Sequence, residues 1–344
     1  MRKQTLKGLA VGLVAVVGLA ACGSSSSSDT TVAAGSAGLA CEVTDTGGVD
    51  DKGFNQIAHE GLLQAETELG VATDLLESTT DADYAPNLQS FVDKGCNVIV
   101  TVGFLLADAT KAAAEANPTV QFAIVDSNTS APNVQGLTFA TDQPSFLAGY
   151  MAAATTTTGI VGTFGGINIP PVAIFMQGFA KGVEYYNAQK GTSVKVLGWD
   201  IAKQDGTFSG DFSDQTKGTS IAKSMSDEGA DIIFPVAGPV GLGASQFAMD
   251  SAGKVKIIGV DVDMAVSNPT QAEVYVASVL KKIDAAVLQA VKDALAKTGG
   301  GTDYLGTLEN GGVGVSITST ITPELQAELD AVTAGIIDGS IVTK

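Results

Sequence analysis

The feature that most constrains this chain is a sustained alternation of short apolar runs with longer segments of helical period. Leu39–Thr44, Val71–Leu76, Asn97–Val102, Val120–Val125 and Val134–Phe139 read as strands, with Phe54–Leu69, Tyr84–Lys94 and Ala107–Ala116 as helices between them. A second series follows. Its strands are Ile160–Phe164, Val194–Trp199, Asp231–Val236, Lys256–Val260 and Val274–Leu280. Its helices are Phe146–Thr156, Val172–Asn187, Thr216–Glu228, Leu242–Ala252, Ile283–Lys297 and Pro323–Asp338. Strands that are apolar through most of their length belong in parallel sheets covered by helices on both faces. The expected fold class is α/β, with two doubly wound lobes. The first lobe is expected to hold 39–142 plus about 263–300, and the second 143–262 plus about 301–344. No short-period repeat is present, which excludes a solenoid.

The chain opens differently. Arg2, Lys3 and Lys7 precede an apolar run, Leu9 to Ala21, that is too short to span a bilayer. The run ends in Leu19-Ala20-Ala21-Cys22, which resembles a bacterial lipobox. That resemblance implies cleavage of residues 1–21 as a signal peptide and diacylglycerol on the sulfur of Cys22. The Ser-, Gly-, Ala- and Thr-rich stretch 22–38 then reads as a flexible tether. The expected location is the extracytoplasmic face of a bacterial cell membrane, held by the lipid.

Charge narrows the function classes. Formal net charge is −18, and loss of the three basic residues of the leader takes it to −21. A nucleic-acid binder needs a basic footprint, so no nucleic-acid partner is expected. Arg2 is the only arginine, so the mature chain has no guanidinium fork for phosphate or carboxylate. His59 is the only histidine, which argues against His-based triads and His-rich metal sites. The glycine-rich turns Gly162–Gly166 and Gly238–Gly243 lack the Lys-Ser/Thr ending of a P-loop and the Rossmann glycine spacing. Asp50 and Asp51 are adjacent, and adjacent side chains seldom converge as an acid–base pair. No enzyme, cofactor or metal is expected. Cys41 and Cys96 both begin predicted strands; an exported protein permits a disulfide between them, and two buried thiols are the alternative.

In open parallel sheets ligands bind beyond the carboxyl ends of the strands. Those ends carry Asp45, Gly103-Phe104, Asp126, Gly165-Gly166, Gly238 and Asp261. One such aspartate alone is a common turn or helix cap. Three at strand ends in both lobes point to a polar ligand site. The segment Asp45-Thr-Gly-Gly-Val-Asp-Asp-Lys-Gly-Phe-Asn-Gln56 resembles the basic membrane protein (PnrA-like) family, nucleoside-binding lipoproteins of ABC transporters. The likeness continues through Phe146-Leu-Ala-Gly149, Gly162-Thr-Phe-Gly-Gly166, Phe175-Met-Gln-Gly-Phe-Ala-Lys-Gly182, Asp211-Phe-Ser-Asp214, Gly259-Val-Asp261 and Ser278-Val-Leu-Lys281, covering nearly the whole mature chain. One departure is Gly53, where the family commonly has serine.

The resemblance implies a type I periplasmic-binding-protein fold, with a hinge and a central cleft, and assigns roles by position. Phe54 would cover one face of a nucleobase and Phe212 the other, with Phe208 as the rival for the second place. Asn55 would read a base edge, Asp126 would accept a base N–H, and Asp45 would do the same or orient Asn55. Asp261 would accept from two ribose hydroxyls, Lys281 would donate to the sugar and offset Asp261, and Gly238 would admit the ligand close to the backbone. Trp199 is expected in the core. The implied function is capture of a nucleoside, purine favoured, and delivery to an ABC permease and its ATPase by a monomer. The alternatives are a sugar or signalling ligand on the same fold and, less well supported, a nucleoside hydrolase.

Overall fold

The computed structural model describes residues 37–344. The leader, Cys22 and most of the tether lie outside the described residues. Two six-stranded sheets organise the rest. The first contains β1 (Leu39–Thr46), β2 (Ala72–Ser78), β3 (Val98–Val102), β4 (Gln121–Val125), β5 (Val134–Phe139) and, from far along the chain, β13 (Asp303–Gly306). Its order is β13-β5-β4-β3-β1-β2, parallel throughout. The second contains β6 (Ile160–Gly165), β7 (Lys195–Leu197), β10 (Ile232–Val236), β11 (Lys256–Asp261), β12 (Tyr275–Lys281) and β14 (Val313–Ile317). Its order, β14-β12-β11-β10-β6-β7, repeats that of the first, with β14 antiparallel at the edge. A hairpin of β8 (Trp199–Asp200) and β9 (Asp205–Gly206) stands apart.

The first sheet is covered by α1 (Phe54–Leu69), α2 (Tyr84–Lys94), α3 (Ala107–Ala116) and α9 (Ile283–Ala296). The second is covered by α4 (Asp142–Thr155), α5 (Pro170–Lys190), α6 (Gln215–Asp227) and α7 (Pro239–Asp250), with α10 (Pro323–Ile337) packed on α4 and a short α8 (Met264–Ser267) after β11. Helical period dictates which faces are buried. In α1, Ile57, Ala58, Gly61, Leu62 and Ala65 point inward, and the helix stops at Gly70 in the left-handed conformation. The glycines of two sequence motifs serve packing: a Cβ on Gly149 would lie 2.0 Å from the Phe179 carbonyl oxygen, and one on Gly182 2.0 Å from that of Phe146. They let α4 and α5 press backbone to backbone. Cys41 and Cys96 are joined as a disulfide with Cα atoms 6.1 Å apart, buried beneath α2.

The chain crosses between the sheets three times: from β5 to α4, from β12 to α9, and from β13 to β14. This differs from the expected boundaries near 263 and 300. Tyr275–Lys281 pairs with β11 and so belongs to the second lobe, whereas Asp303–Gly306 pairs with β5 and belongs to the first. A four-residue strand flanked by glycine and threonine has no period to read. Its place is set by the open edge of β5.

Candidate functional site

The two sheets turn the carboxyl ends of their strands toward one cavity, and all eight residues expected at a ligand site line it: Asp45, Phe54, Asn55, Asp126, Phe212, Gly238, Asp261 and Lys281. The first lobe contributes Asp45 from β1, Phe54 and Asn55 from α1, and Asp126 just beyond β4. The second contributes Phe212, Gly238, Asp261 at the end of β11 and Lys281 at the end of β12.

Local chemistry explains these placements. After β1 the chain turns through Gly47 and Gly48, both at positive φ. Asp51 then accepts hydrogen bonds from the backbone N–H groups of Gly53 (2.9 Å), Asn55 (2.8 Å) and Gln56 (3.1 Å). These are free donors of the first turn of α1, and a carboxylate suits that end of a helix. Asp51 therefore does the capping that Gly53 has no side chain to do, and it aims Phe54 and Asn55 at the cavity. Asp126 and Asp261 occupy corresponding positions in the two lobes, each with φ 67°. Aspartate tolerates this left-handed region better than most residues. Gly103 leaves room for a carboxylate: a Cβ there would lie 2.5 Å from Asp45 Oδ2. Gly166 does the same for the Phe212 ring, which a Cβ would meet at 2.2 Å.

The polar groups form two linked sets. Asn55 Nδ2 donates to Asp45 Oδ1 at 3.0 Å, and Asn55 Oδ1 is left buried without a protein donor. Lys281 Nζ donates to Asp126 Oδ2 at 2.6 Å and lies 4.7 Å from the centre of the Phe54 ring. Lys281 thus bonds to Asp126, and its charge also favours the ionised form of Asp261, the offset expected from the resemblance. Burial dominates the titration of both partly unpaired carboxyls. It pushes Asp45 up to about 8 and Asp261 up to about 7, with Asp51 and Asp126 adding to the rise and Lys281 opposing it. Near neutral pH, Asp45 and Asp261 can therefore donate as well as accept.

Phe208 and Phe212 separate cleanly. Phe212 lines the cavity, while Phe208 packs edge-on against Trp199, with ring centres 6.4 Å apart. Trp199 is buried and donates its Nε1–H to Gln177 at 2.9 Å, a core position. Four further lining residues stand out. Asp51, Phe104 and Phe175 lie within or beside motifs already visible in the sequence, but nothing there separates them from structural neighbours. Val172, in the first turn of α5, reaches the cavity because α5 starts just after the carboxyl end of β6. Among the described residues no group of three or more His, Cys, Asp or Glu side chains is placed to hold a metal.

Comparison with known proteins places this chain in a family. Residues 39–344 match the family model Bmp, described as ABC transporter substrate-binding protein PnrA-like. The chain belongs to this family. Members are substrate-binding proteins of ABC transporters, and this one is accordingly a binding protein and not an enzyme. The Bmp chain is 33% identical to the ABC transporter nucleoside-binding protein BmpA of Lactococcus lactis subsp. cremoris, covering 99% of each. It is 32% identical to basic membrane protein A1 of Borrelia garinii subsp. bavariensis, covering 86% of this chain and 85% of the relative. A solved ABC transporter solute-binding protein from Aeropyrum pernix K1 superposes with a TM-score of 0.76 at 26% identity, over 89% of this chain and 93% of that one. The fold is the type I solute-binding fold. No described helix is long and apolar enough to cross a membrane.

Proposed function

We propose that this Bmp protein captures a nucleoside, with purines favoured by the family resemblance, and hands it to an ABC permease driven by a cytoplasmic ATPase. In this reading it works as a monomer tethered through lipidated Cys22. The observation that carries the reading is the pair of aromatic rings, Phe54 from one lobe and Phe212 from the other, lining a single cavity with hydrogen-bonding carboxyls beside them. Two rings suit a flat base, and stacking contributes roughly 1–3 kcal/mol per contact. Asp45, Asn55 and Asp126 would meet the base edge. Asp261 would accept from neighbouring ribose hydroxyls.

The name of the Lactococcus relative supports the same ligand class. The lining supports the nucleoside over the nucleotide: its one cation, Lys281, is already bonded to Asp126, so a phosphate would find no free positive group among the residues that line the cavity. Ligand contacts drawn from both lobes would stabilise the closed arrangement selectively, which is what hinge closure requires. Calorimetric titration of the purified protein, unfolded and refolded to remove carried-over ligand, tests the reading. A panel of nucleosides, free bases, ribose and nucleotides should give saturable one-to-one binding for nucleosides only. A folded protein that binds ribose as well as any nucleoside would move the assignment to a sugar ligand.

A further inference from the structure

Among the described residues, Lys281 Nζ makes one hydrogen bond, to Asp126 Oδ2 at 2.6 Å. An ammonium group carries three donors, and Lys281 is buried, so its other N–H groups must be offset by something besides water. Three aromatic rings surround the same nitrogen. It lies over Phe54 at 4.7 Å from the ring centre, over Phe139 at 5.2 Å and over Phe175 at 5.9 Å. The face of such a ring is electron-rich and attracts a cation within about 6 Å of its centre. Phe54 comes from α1 and Phe139 from β5, both in the first lobe, and Phe175 comes from α5 in the second. Phe54 and Phe175 line the cavity, whereas Phe139 does not. Phe139 is the last residue of β5, where the chain leaves for α4, and its ring stands edge-on to Tyr304 with centres 5.8 Å apart.

We infer that Phe139 is a positioning residue of the site: its ring, with those of Phe54 and Phe175, forms a cage that holds the Lys281 ammonium against Asp126. A lysine stem is flexible, and a second carboxyl, Asp261, lies within the field of the same charge. Two of the three rings come from the first lobe, as Asp126 does, so Phe54 and Phe139 draw the ammonium toward that lobe. Lys281 itself comes from the second lobe, and the cage therefore fixes it across the boundary between the two. A desolvated contact of a cation with a ring face is worth about five- to thirtyfold in an equilibrium constant. Phe139 acts on the cavity only through Lys281, since it is no part of the wall.

The test is a double-mutant cycle read by chemical denaturation at pH 7, which needs no ligand. Trifluorophenylalanine, installed in place of Phe139 by amber suppression, keeps the ring and strips electrons from its face. It should lower the folding equilibrium constant about threefold or more beyond its effect in Lys281→Met, where the cation is gone. Steric strain from the fluorines is common to both backgrounds and cancels. The same replacement at Phe122, buried in a separate core cluster, should show no such difference. Lys281→Met combined with Asp126→Asn serves as the background if Lys281→Met is not folded by circular dichroism, and Phe139→Leu serves if the fluorinated protein is not. A difference below about threefold overturns the cage, as does an equal difference at Phe122. The consequence for binding rests on the nucleoside reading and is measured by calorimetry with adenosine, inosine and uridine. Whichever binds the wild type should bind the fluorinated Phe139 protein about threefold or more weakly, and the fluorinated Phe122 protein normally. Unchanged affinity alongside a positive cycle would overturn the positioning role. A wild type that binds none of the three overturns the nucleoside reading, while the cage is decided by denaturation.

Discussion

Lys281 Nζ sits 2.6 Å from Asp126 Oδ2, and this one contact ties the end of a strand in the second sheet to the end of a strand in the first. Lys281 also stands where the chain crosses from β12 to α9, and its side chain is only 2% exposed. The same ammonium group is therefore an element of the crossing, the counter-charge of the cavity and a neighbour of Phe54.

Replacing it should be costly. Lys281→Met leaves Asp126 without its partner, and breaking a buried pair from one side typically costs about 3–5 kcal/mol. Thermal unfolding at pH 7 should show that loss. The double variant Lys281→Met, Asp126→Asn removes both charges and should recover much of it. An equal drop in melting temperature in the single and double variants would show that packing, not charge, is what Lys281 supplies.

The aromatic pair can be tested against its neighbour. Phe54→Ala and Phe212→Ala should each weaken nucleoside binding about 10- to 100-fold, the equivalent of roughly 1–3 kcal/mol of lost stacking. Phe208→Ala should instead lower stability by about 1–3 kcal/mol, because its ring fills space against Trp199 and Gly165. Titration and thermal melts on the three variants would separate the effects. Full affinity in Phe212→Ala would remove that ring from the site.

Asp45 and Asp261 make a prediction about the ligand-free protein. Both are raised in the folded state, to about 8 and about 7, above the ordinary carboxyl value of 3.8. Between that value and the folded one, the unfolded chain has lost protons the native state keeps. Stability should therefore be highest at the acid end of this window and fall as pH rises from about 4 to about 8, with each group adding a slope of at most about 1.4 kcal/mol per pH unit. Asp45→Asn removes one titrating group while keeping an acceptor for Asn55. Chemical denaturation across this pH range should give a shallower decline for the variant, with its largest gain over wild type near pH 8. Parallel curves would mean that Asp45 titrates normally.

The Cys41–Cys96 bridge closes a loop with a sequence separation of 55 and lies under α2, away from the cavity lining. Opening it with the Cys41→Ala, Cys96→Ala double variant should cost about 2–4 kcal/mol of stability. Ligand affinity at 25 °C should be unchanged. A loss of affinity in a folded variant would show that the bridge holds β1, and with it Asp45, in place.

Much of this protein is readable along the chain because its determinants are local. Helices α1, α2 and α3 begin and end where the periodicity and the following glycine or Asn-Pro place them. Aspartates and glycines at strand ends are visible as residues, and in a parallel sheet that location already faces the ligand side. Other features have no local trace. Asp303–Gly306 becomes a strand because β5 offers it an edge, and the lobe boundaries follow from that pairing. Phe208 and Phe212 are four residues apart in one loop, and only the packing of Trp199 and the gap at Gly166 turn one inward and leave the other in the cavity. Lys281 could be recognised as a cation of the site, but its choice of Asp126 over Asp261 depends on where β12 ends relative to β4. The sequence by itself determined the element types and the α/β class, because propensity, period and strand-end position act over a few neighbours. Tertiary structure alone decided which carboxyls are paired, which are raised by burial and which aromatic rings share a cavity, because those depend on distances between residues far apart in the chain.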